Sequence, residues 1–422
     1  MMLSILPHAA SLKTLNRDGV LLFVTRCIRL FGYGLISIIL VLYLAEIGIP
    51  DPKIGLLLTL TLVGDTAVSL WITTTADRFG RKRMLVIGAL LLVLAGIIFG
   101  LTTNYWLLLV AATIGVISPS GNEVGPFLSI EQASLSQIVP NEERTAVFAW
   151  YNLIGSMATA LGALVGGVAV DLFQRAGWTA LDSFRAVIFG YAALGLVLAG
   201  LFLLLTPAVE LPPEGRFTAG PVLLGLHKSK KEVSKLSSLF ALDAFGGGFV
   251  VQSIAAYWFH VRFGVSPSML GAIFLGANVL AGISALSAAS LARRIGLIET
   301  MVYTHIPSNI LLILVPLMPN KELAITMLLL RFSISQMDVP TRQSYTMAVV
   351  DPSERSAASG ITGVARTAGA AIAPSLAGLL LAVPALISVP FFLSGGIKIV
   401  YDVLLYRSFK SMKPDEDKPA GK

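Results

Sequence analysis

Long apolar runs alternate with short polar turns along the whole chain. The first half has runs at about 20–45, 54–76 and 84–103. A fourth starts at Trp106 and reaches the 130s, interrupted by Pro119, Gly121, Gly125 and Pro126. A fifth ends near Val170 and a sixth near Leu205. After a polar stretch come six more, at about 236–261, 269–292, 300–318, 323–349, 356–382 and 389–406. A helix that crosses a bilayer needs about 20 mostly apolar residues. The pattern predicts an all-α polytopic membrane protein of twelve transmembrane helices, numbered here as spans 1–12. It divides into a six-helix bundle at 1–206, a linker at 207–235 with four prolines and a run of lysines, and a second six-helix bundle with a tail at 236–422.

Composition agrees. Of 422 residues, 55% are hydrophobic and 13% charged, with a mean hydropathy of +0.80, whereas a soluble domain carries about 25% charged residues. The net charge of +7 would suit a nucleic-acid partner, but the placement of the cations argues against one. Lys and Arg gather in alternate loops, and only Lys53, Arg175, Arg262 and Lys321 fall in the others. Cationic loops are retained in the cytoplasm, so both termini are expected there. Cys27 is the sole cysteine, which leaves no intrachain disulfide or multi-cysteine metal framework. The first run begins after Asp18, is too long for a cleavable signal, and has no small-residue cleavage site. The chain has no Asn-x-Ser/Thr sequon, which fits a prokaryotic inner-membrane or otherwise unglycosylated protein. No nucleotide loop, nucleophile elbow or metal-ligand spacing occurs. No cofactor, metal site or catalytic residue is expected, and the chain is expected to act as a monomer in the lipid bilayer.

The turn between spans 2 and 3 reads Ala76-Asp77-Arg78-Phe79-Gly80-Arg81-Lys82-Arg83. A positive-inside loop accounts for its cations but not for Asp77 and Gly80. The segment resembles the signature loop of the major facilitator superfamily, although Thr73 and Thr75 stand where that pattern opens with Gly and Leu. The halves also repeat. At a shift of 211 residues Arg144 falls on Arg355, Gln132 on Gln343, Gly167 on Gly378 and Glu131 on Arg342. A degraded second signature loop follows at Ala292-Arg293-Arg294-Ile295-Gly296. The resemblance covers nearly the whole chain. It implies two pseudo-symmetric six-helix bundles with a small-molecule site between the halves near the midplane. It also implies that Asp77, Arg78, Gly80 and Arg81 control conformation, with Asp77 and Arg81 tied to span 11.

A charge at the centre of a membrane helix costs about 2.5–3.5 kcal/mol or more, so each needs a partner, water or a purpose. The spans carry Arg26, Arg29, Asp65, Glu123, Glu131, Asp243, Arg331, Asp338, Arg342 and Arg366. In the resembled fold helices 1, 4, 7 and 10 line the cavity, flanked by 2, 5, 8 and 11, and every one of these charges falls in those sets. Spans 3, 6, 9 and 12 are expected to face lipid, with charges such as Lys398 and Asp402 near their ends. Depth divides the charges. Arg29, Asp65, Glu123 and Asp338 form the expected substrate and proton site. Arg26, Glu131, Asp243 and Arg342 form the expected cytoplasmic gate, with Glu131 pairing Arg342 across the halves. Permanent structural ion pairs are the alternative for any one of them.

Gly246-Gly247-Gly248 in span 7 marks a hinge or a tight helix crossing. Gly162-Ala163-Leu164-Val165-Gly166-Gly167 resembles the antiporter motif of the family with Ala163 in place of its Pro; the copy around Pro374 keeps that Pro. His260 and His305 stand alone in the sequence, as packing residues. The sequence thus predicts a secondary active transporter of a small solute, proton-coupled for export. Uptake by proton symport or uniport is the first alternative. A polytopic membrane enzyme or a non-transporting sensor is the alternative of another class.

Overall fold

In the computed structural model the described residues are 15–123, 125–140, 144–210, 228–351 and 354–410. They form fifteen α-helices and no strand. The helices are α1 (Arg17–Glu46), α2 (Asp51–Phe79), α3 (Arg81–Leu101), α4 (Tyr105–Ile114), α5 (Phe127–Ile138), α6 (Arg144–Arg175) and α7 (Ala180–Leu203). The second half contributes α8 (Lys230–Gly248), α9 (Gln252–Phe263), α10 (Pro267–Ile295), α11 (Leu297–Leu314), α12 (Lys321–Ile334), α13 (Asp338–Val349), α14 (Arg355–Leu381) and α15 (Val389–Phe409). Among the described residues ten stretches are long and apolar enough to cross a membrane, with α8 and α9 together making one of them. The other two spans are each split, α4 from α5 and α12 from α13.

Local chemistry sets the boundaries. Asn16 accepts the Gly19 N–H at 2.8 Å to start α1. Asn104 starts α4 and Asn320 starts α12 in the same way. Each satisfies an amide that the helix itself leaves unpaired. Gly80, between α2 and α3, has φ +105°, and Gly296, between α10 and α11, has φ +97°. L-residues with a side chain rarely adopt this conformation, so the glycine of the signature loop and that of its degraded copy do the same backbone work. Glu210 then caps α3, accepting the N–H groups of Arg81 at 2.7 Å and Lys82 at 3.1 Å. Glu354 likewise accepts the N–H groups of Lys228 at 2.8 Å and Ser229 at 2.9 Å, just before α8.

The chain folds into two compact units. The first holds the described residues within 1–50, 60–220 and 255–275; the second those within 51–59, 221–254 and 276–422. Inside the first, α1 packs on α6 and α7, and α3 on α7. Inside the second, α8 packs on α14 and α15, and α11 on α15. These are the same three pairings at equivalent positions of the repeat. Glycine lets the paired backbones touch. A Cβ on Gly162 would sit 2.0 Å from the Phe31 carbonyl oxygen, and one on Gly369 2.2 Å from that of Ala241. Gly248 lies equally close to α14, where a Cβ would meet the Ala370 carbonyl oxygen at 2.5 Å. Of the three glycines of span 7, Gly248 is thus at a tight crossing, and α8 ends at it.

Candidate functional site

Span 4 is unwound between α4 and α5, over the described residues 115–123 and 125–126. Gly121 and Gly125 have positive φ, and Ser118 Oγ donates to the Asn122 carbonyl at 2.7 Å. Unpaired backbone is tolerated at membrane depth only where it is buried in protein or lines a cavity. Glu123 lies in this segment with its side chain 15% exposed. Two arginines of α1 hold it: Arg26 NH1 is 2.8 Å from Oε2, and Arg29 Nε is 2.9 Å from Oε1. Arg29 also grips Glu131 of α5 with two parallel bonds of 2.7 Å. This bidentate geometry is the strongest that a guanidinium and a carboxylate form. Tyr151 O–H donates to Glu131 as well, and Thr25 Oγ1 does so at 3.3 Å. Arg26 donates through Nε to the Tyr151 carbonyl and through NH2 to Asn152. Its guanidinium stacks 4.2 Å over the Tyr151 ring, and that of Arg29 4.5 Å over Phe127. Arg29 and Glu131 are fully buried. Two cations thus meet two anions, with one edge of Glu123 open. Asp65 of α2 anchors the same unwound segment by accepting the Gly125 N–H, and it takes Ser69 Oγ at 3.3 Å.

The second unit is organised around one carboxylate, Asp243 of α8. Oδ1 accepts from Lys398 Nζ at 2.6 Å, and Oδ2 lies 3.2 Å from Arg342 NH1 and 3.7 Å from Arg366 NH1. Arg342 NH1 also reaches Asp338, one turn earlier on α13, at 3.0 Å. His305 of α11 adds its ring: Nδ1 is 2.8 Å from Asp402 and Nε2 is 3.9 Å from Asp243. Asp243, Asp338, Arg342, His305, Lys398 and Asp402 are all buried.

Several sequence-based expectations change. The division by depth placed Arg29 and Glu123 in one set and Arg26 and Glu131 in another, but the four form one cluster. Asp338, Asp243 and Arg342 likewise come together. Glu131 and Arg342, expected to meet when the cytoplasmic side closes, each have a charge partner inside their own unit in this structure. The reason is that an oppositely charged residue on the neighbouring helix, Arg29 or Asp243, is already within reach. Lys398 and Asp402 are not lipid-facing end charges. They lie on the inner face of α15 and connect with His305, which is not isolated. One signal was available: His305 and Asn309, and Lys398 and Asp402, are both spaced four apart, so each polar pair shares a helix face. The role of Tyr151 had no signal, because a buried tyrosine in an apolar run reads as core.

In the signature loop the side chains of Asp77 and Arg78 lie outside the described residues. Arg81 NH1 donates to Gln137 at 2.9 Å and to the Val209 carbonyl at 3.3 Å, inside its own unit. No group of three or more potential metal ligands occurs among the described residues.

Comparison with known proteins adds the following. The family model described as Major Facilitator Superfamily matches residues 22–340. A curated relative, the uncharacterized membrane protein YJR124C of Saccharomyces cerevisiae, is 32% identical over 93% of this chain and 94% of its own. The quinolone resistance protein NorA of Staphylococcus aureus is 23% identical over 38% of this chain and 40% of its own. Among solved structures, the nucleoside transporter NupG aligns with a TM-score of 0.72 at 14% identity, covering 94% of this chain and all of the other. The D-xylose-proton symporter aligns with a TM-score of 0.70 at 14% identity, covering 95% and 98%.

Proposed function

The chain belongs to the major facilitator superfamily, as a multi-pass membrane transporter of small solutes, and from that premise we propose that it exports its solute in exchange for protons, with Glu123 as a proton-carrying residue. The observation that carries the reading is the unwound segment between α4 and α5, where an incompletely buried carboxylate, Glu123, is clasped by Arg26 and Arg29. A proton on Glu123 releases one guanidinium, and a released guanidinium can take an anionic or hydrogen-bonding group of a solute. Proton and solute then compete for the same two arginines, which is the exchange that an antiporter requires. Asp65 supports the site by holding the Gly125 backbone. Asp243, Asp338 and Arg342 supply a second charged group in the other unit. Gly80 and Arg81 set the start of α3. The bias of Lys and Arg between alternate loops supports a topology with both termini in the cytoplasm. The similarity to NorA, a quinolone resistance protein, makes a quinolone a sensible first solute.

The test is flux into proteoliposomes, with and without an imposed pH gradient, for a panel holding a quinolone, a nucleoside and a pentose. At least one is moved uphill when protons run the other way. Movement with the protons instead makes the protein a symporter, and transport indifferent to the gradient makes it a uniporter. Glu123→Gln fixes the protonated form, so it abolishes gradient-driven accumulation but retains solute exchange at equilibrium. Accumulation equal to the unmodified protein's removes Glu123 from the proton path. Loss of exchange as well makes Glu123 a solute ligand or a structural residue.

A further inference from the structure

The exchange at Glu123 leaves two arginines of the second unit without a task, Arg331 of α12 and Arg366 of α14. Both stand deep in their spans. Arg331 is ten residues from the start of α12 and Arg366 eleven from the start of α14. At a rise of about 1.5 Å per residue each lies roughly 15 Å along its helix, near the middle of a bilayer core about 30 Å thick. A charge at that depth is costly unless it is met, and neither is fully met. Nε of Arg331 and NH1 of Arg366 are buried donors with no hydrogen-bond acceptor. Arg331 makes no ion pair among the described residues, and its guanidinium rests 5.0 Å from the ring centre of the adjacent Phe332. Arg366 reaches Asp243 only at 3.7 Å, with its side chain 36% exposed. Arg342 shows the contrast, with NH1 at 3.0 Å from Asp338 and 3.2 Å from Asp243. Arg331 and Arg366 both feel the charges of these same two carboxylates, so they border one cluster.

The charges point the same way. Away from the span ends, the described part of the second unit holds three carboxylates, Asp243, Asp338 and Asp402, and four cations, Arg331, Arg342, Arg366 and Lys398. His305, neutral or charged, does not reduce the excess. Lys398 is bonded to Asp243 at 2.6 Å, and an arginine in a protein keeps its proton. The surplus on the arginines is therefore permanent, and an anion is what relieves it. We propose that Arg331 and Arg366 form an anion-binding subsite, which takes a carboxylate, phosphate or sulfonate group of the transported solute. A guanidinium presents its donors in a planar fork that fits such a group, and these two have donors left over. A lipid headgroup is excluded as the occupant by the depth of both residues. At Glu123 the arginines are occupied until a proton releases one, whereas Arg331 and Arg366 need no such release. The naming of a solute class rests on the transport reading above; anion binding itself rests on the geometry.

The test compares matched solutes on the full chain in lipid nanodiscs: a nucleoside and its monophosphate, a pentose and its phosphate, and a quinolone methyl ester and the parent carboxylate. Binding is read by isothermal titration calorimetry at one fixed pH. In at least one pair the anionic member binds about tenfold tighter than the neutral one, as a charge-assisted bond allows. Arg331→Gln and Arg366→Gln each cut that preference several-fold, and Arg331→Lys, which keeps the charge, retains part of it. Arg331→Gln also leaves the melting temperature of the unliganded protein unchanged or higher, because it removes an unmet cation. No preference in any pair overturns the proposal, and so does a preference that survives both substitutions. A preference lost together with a lower melting temperature in both variants overturns it as well, since the arginines are then structural. The two readings fail separately. Anion preference with flux that ignores the pH gradient refutes proton exchange and keeps the subsite. Proton-driven flux that ignores the charge of the solute refutes the subsite and keeps the exchange.

Discussion

The two units use the same helix pairings to hold charge in opposite senses. In the first, the cation Arg29 stands on α1 and the anion Glu131 on α5. In the second, the anion Asp243 stands on α8 and the cation Arg342 on α13. Glu131 and Arg342 occupy the same place in the repeat, and α1 and α8 are the same element of their halves. The pairing has been kept and its sign reversed. The units also differ in how the charge is shared. Arg29 and Glu131 are bound face to face with both oxygens and two guanidinium nitrogens engaged. Asp243 is divided among Lys398, Arg342 and Arg366. A carboxylate whose one cation grips both of its oxygens, as Arg29 grips Glu131, is held in place, whereas a carboxylate shared among three cations can exchange one partner for another.

The sharpest way to break this comparison is to remove one arginine from each unit. Arg29→Met leaves Glu131 buried without its counter-charge, and breaking a buried pair in this way costs about 3–5 kcal/mol. Thermal unfolding in detergent would show a large loss of stability. Arg342→Met costs less, about 1–3 kcal/mol, because Asp243 keeps Lys398 and Arg366 and Asp338 keeps the Arg331 guanidinium of α12 nearby. Equal losses in the two variants would mean that the remaining cations of the second cluster do not compensate for the one removed.

The backbone contacts should respond alike in the two units, because the crossing is the same in both. Gly162→Ala and Gly369→Ala each force a methyl group toward a carbonyl oxygen. Each is expected to cost about 1–3 kcal/mol, as overpacking does, read from the same unfolding experiment. A loss confined to one unit would show that the crossings differ. The smallest effect is expected at Gly363, where nothing lies within 4 Å of an added Cβ. Gly363→Ala in the interior of α14 should leave stability unchanged or raise it by up to about 1 kcal/mol.

Much of this was legible in the residues. The hydropathy marks the spans. Pro119, Gly121, Gly125 and Pro126 announce the unwinding of span 4, because they cluster within eight residues of an apolar run. The membrane charges name most members of both clusters, since a buried charge is too costly to be incidental. Three things were not legible. Equivalence within the repeat says that two residues occupy like places, not which neighbours they have, so it gave no sign that Arg29 holds Glu131 and Asp243 holds Arg342 in this structure. The inward turn of α15 depends on rotation about the helix axis, which sets whether Lys398 and Asp402 meet lipid or protein. The split between α12 and α13 has only Pro340 as a signal, and that proline sits in the first turn of α13, where a helix tolerates it.

The interruptions of three spans have a mechanical consequence. A helix resists bending through its continuous ladder of backbone hydrogen bonds, and that resistance falls where the ladder stops. In the first unit α1 and α6 meet backbone to backbone, so they behave as a single stiff beam, and compliance is left to the described residues between α4 and α5. In the second, α8 and α14 form the beam, and the pliant joints fall at residues 249–251 and 335–337. Strain applied to either unit is thus channelled to joints that lie beside its charged cluster, where a few tenths of an ångström decide which cation a carboxylate holds.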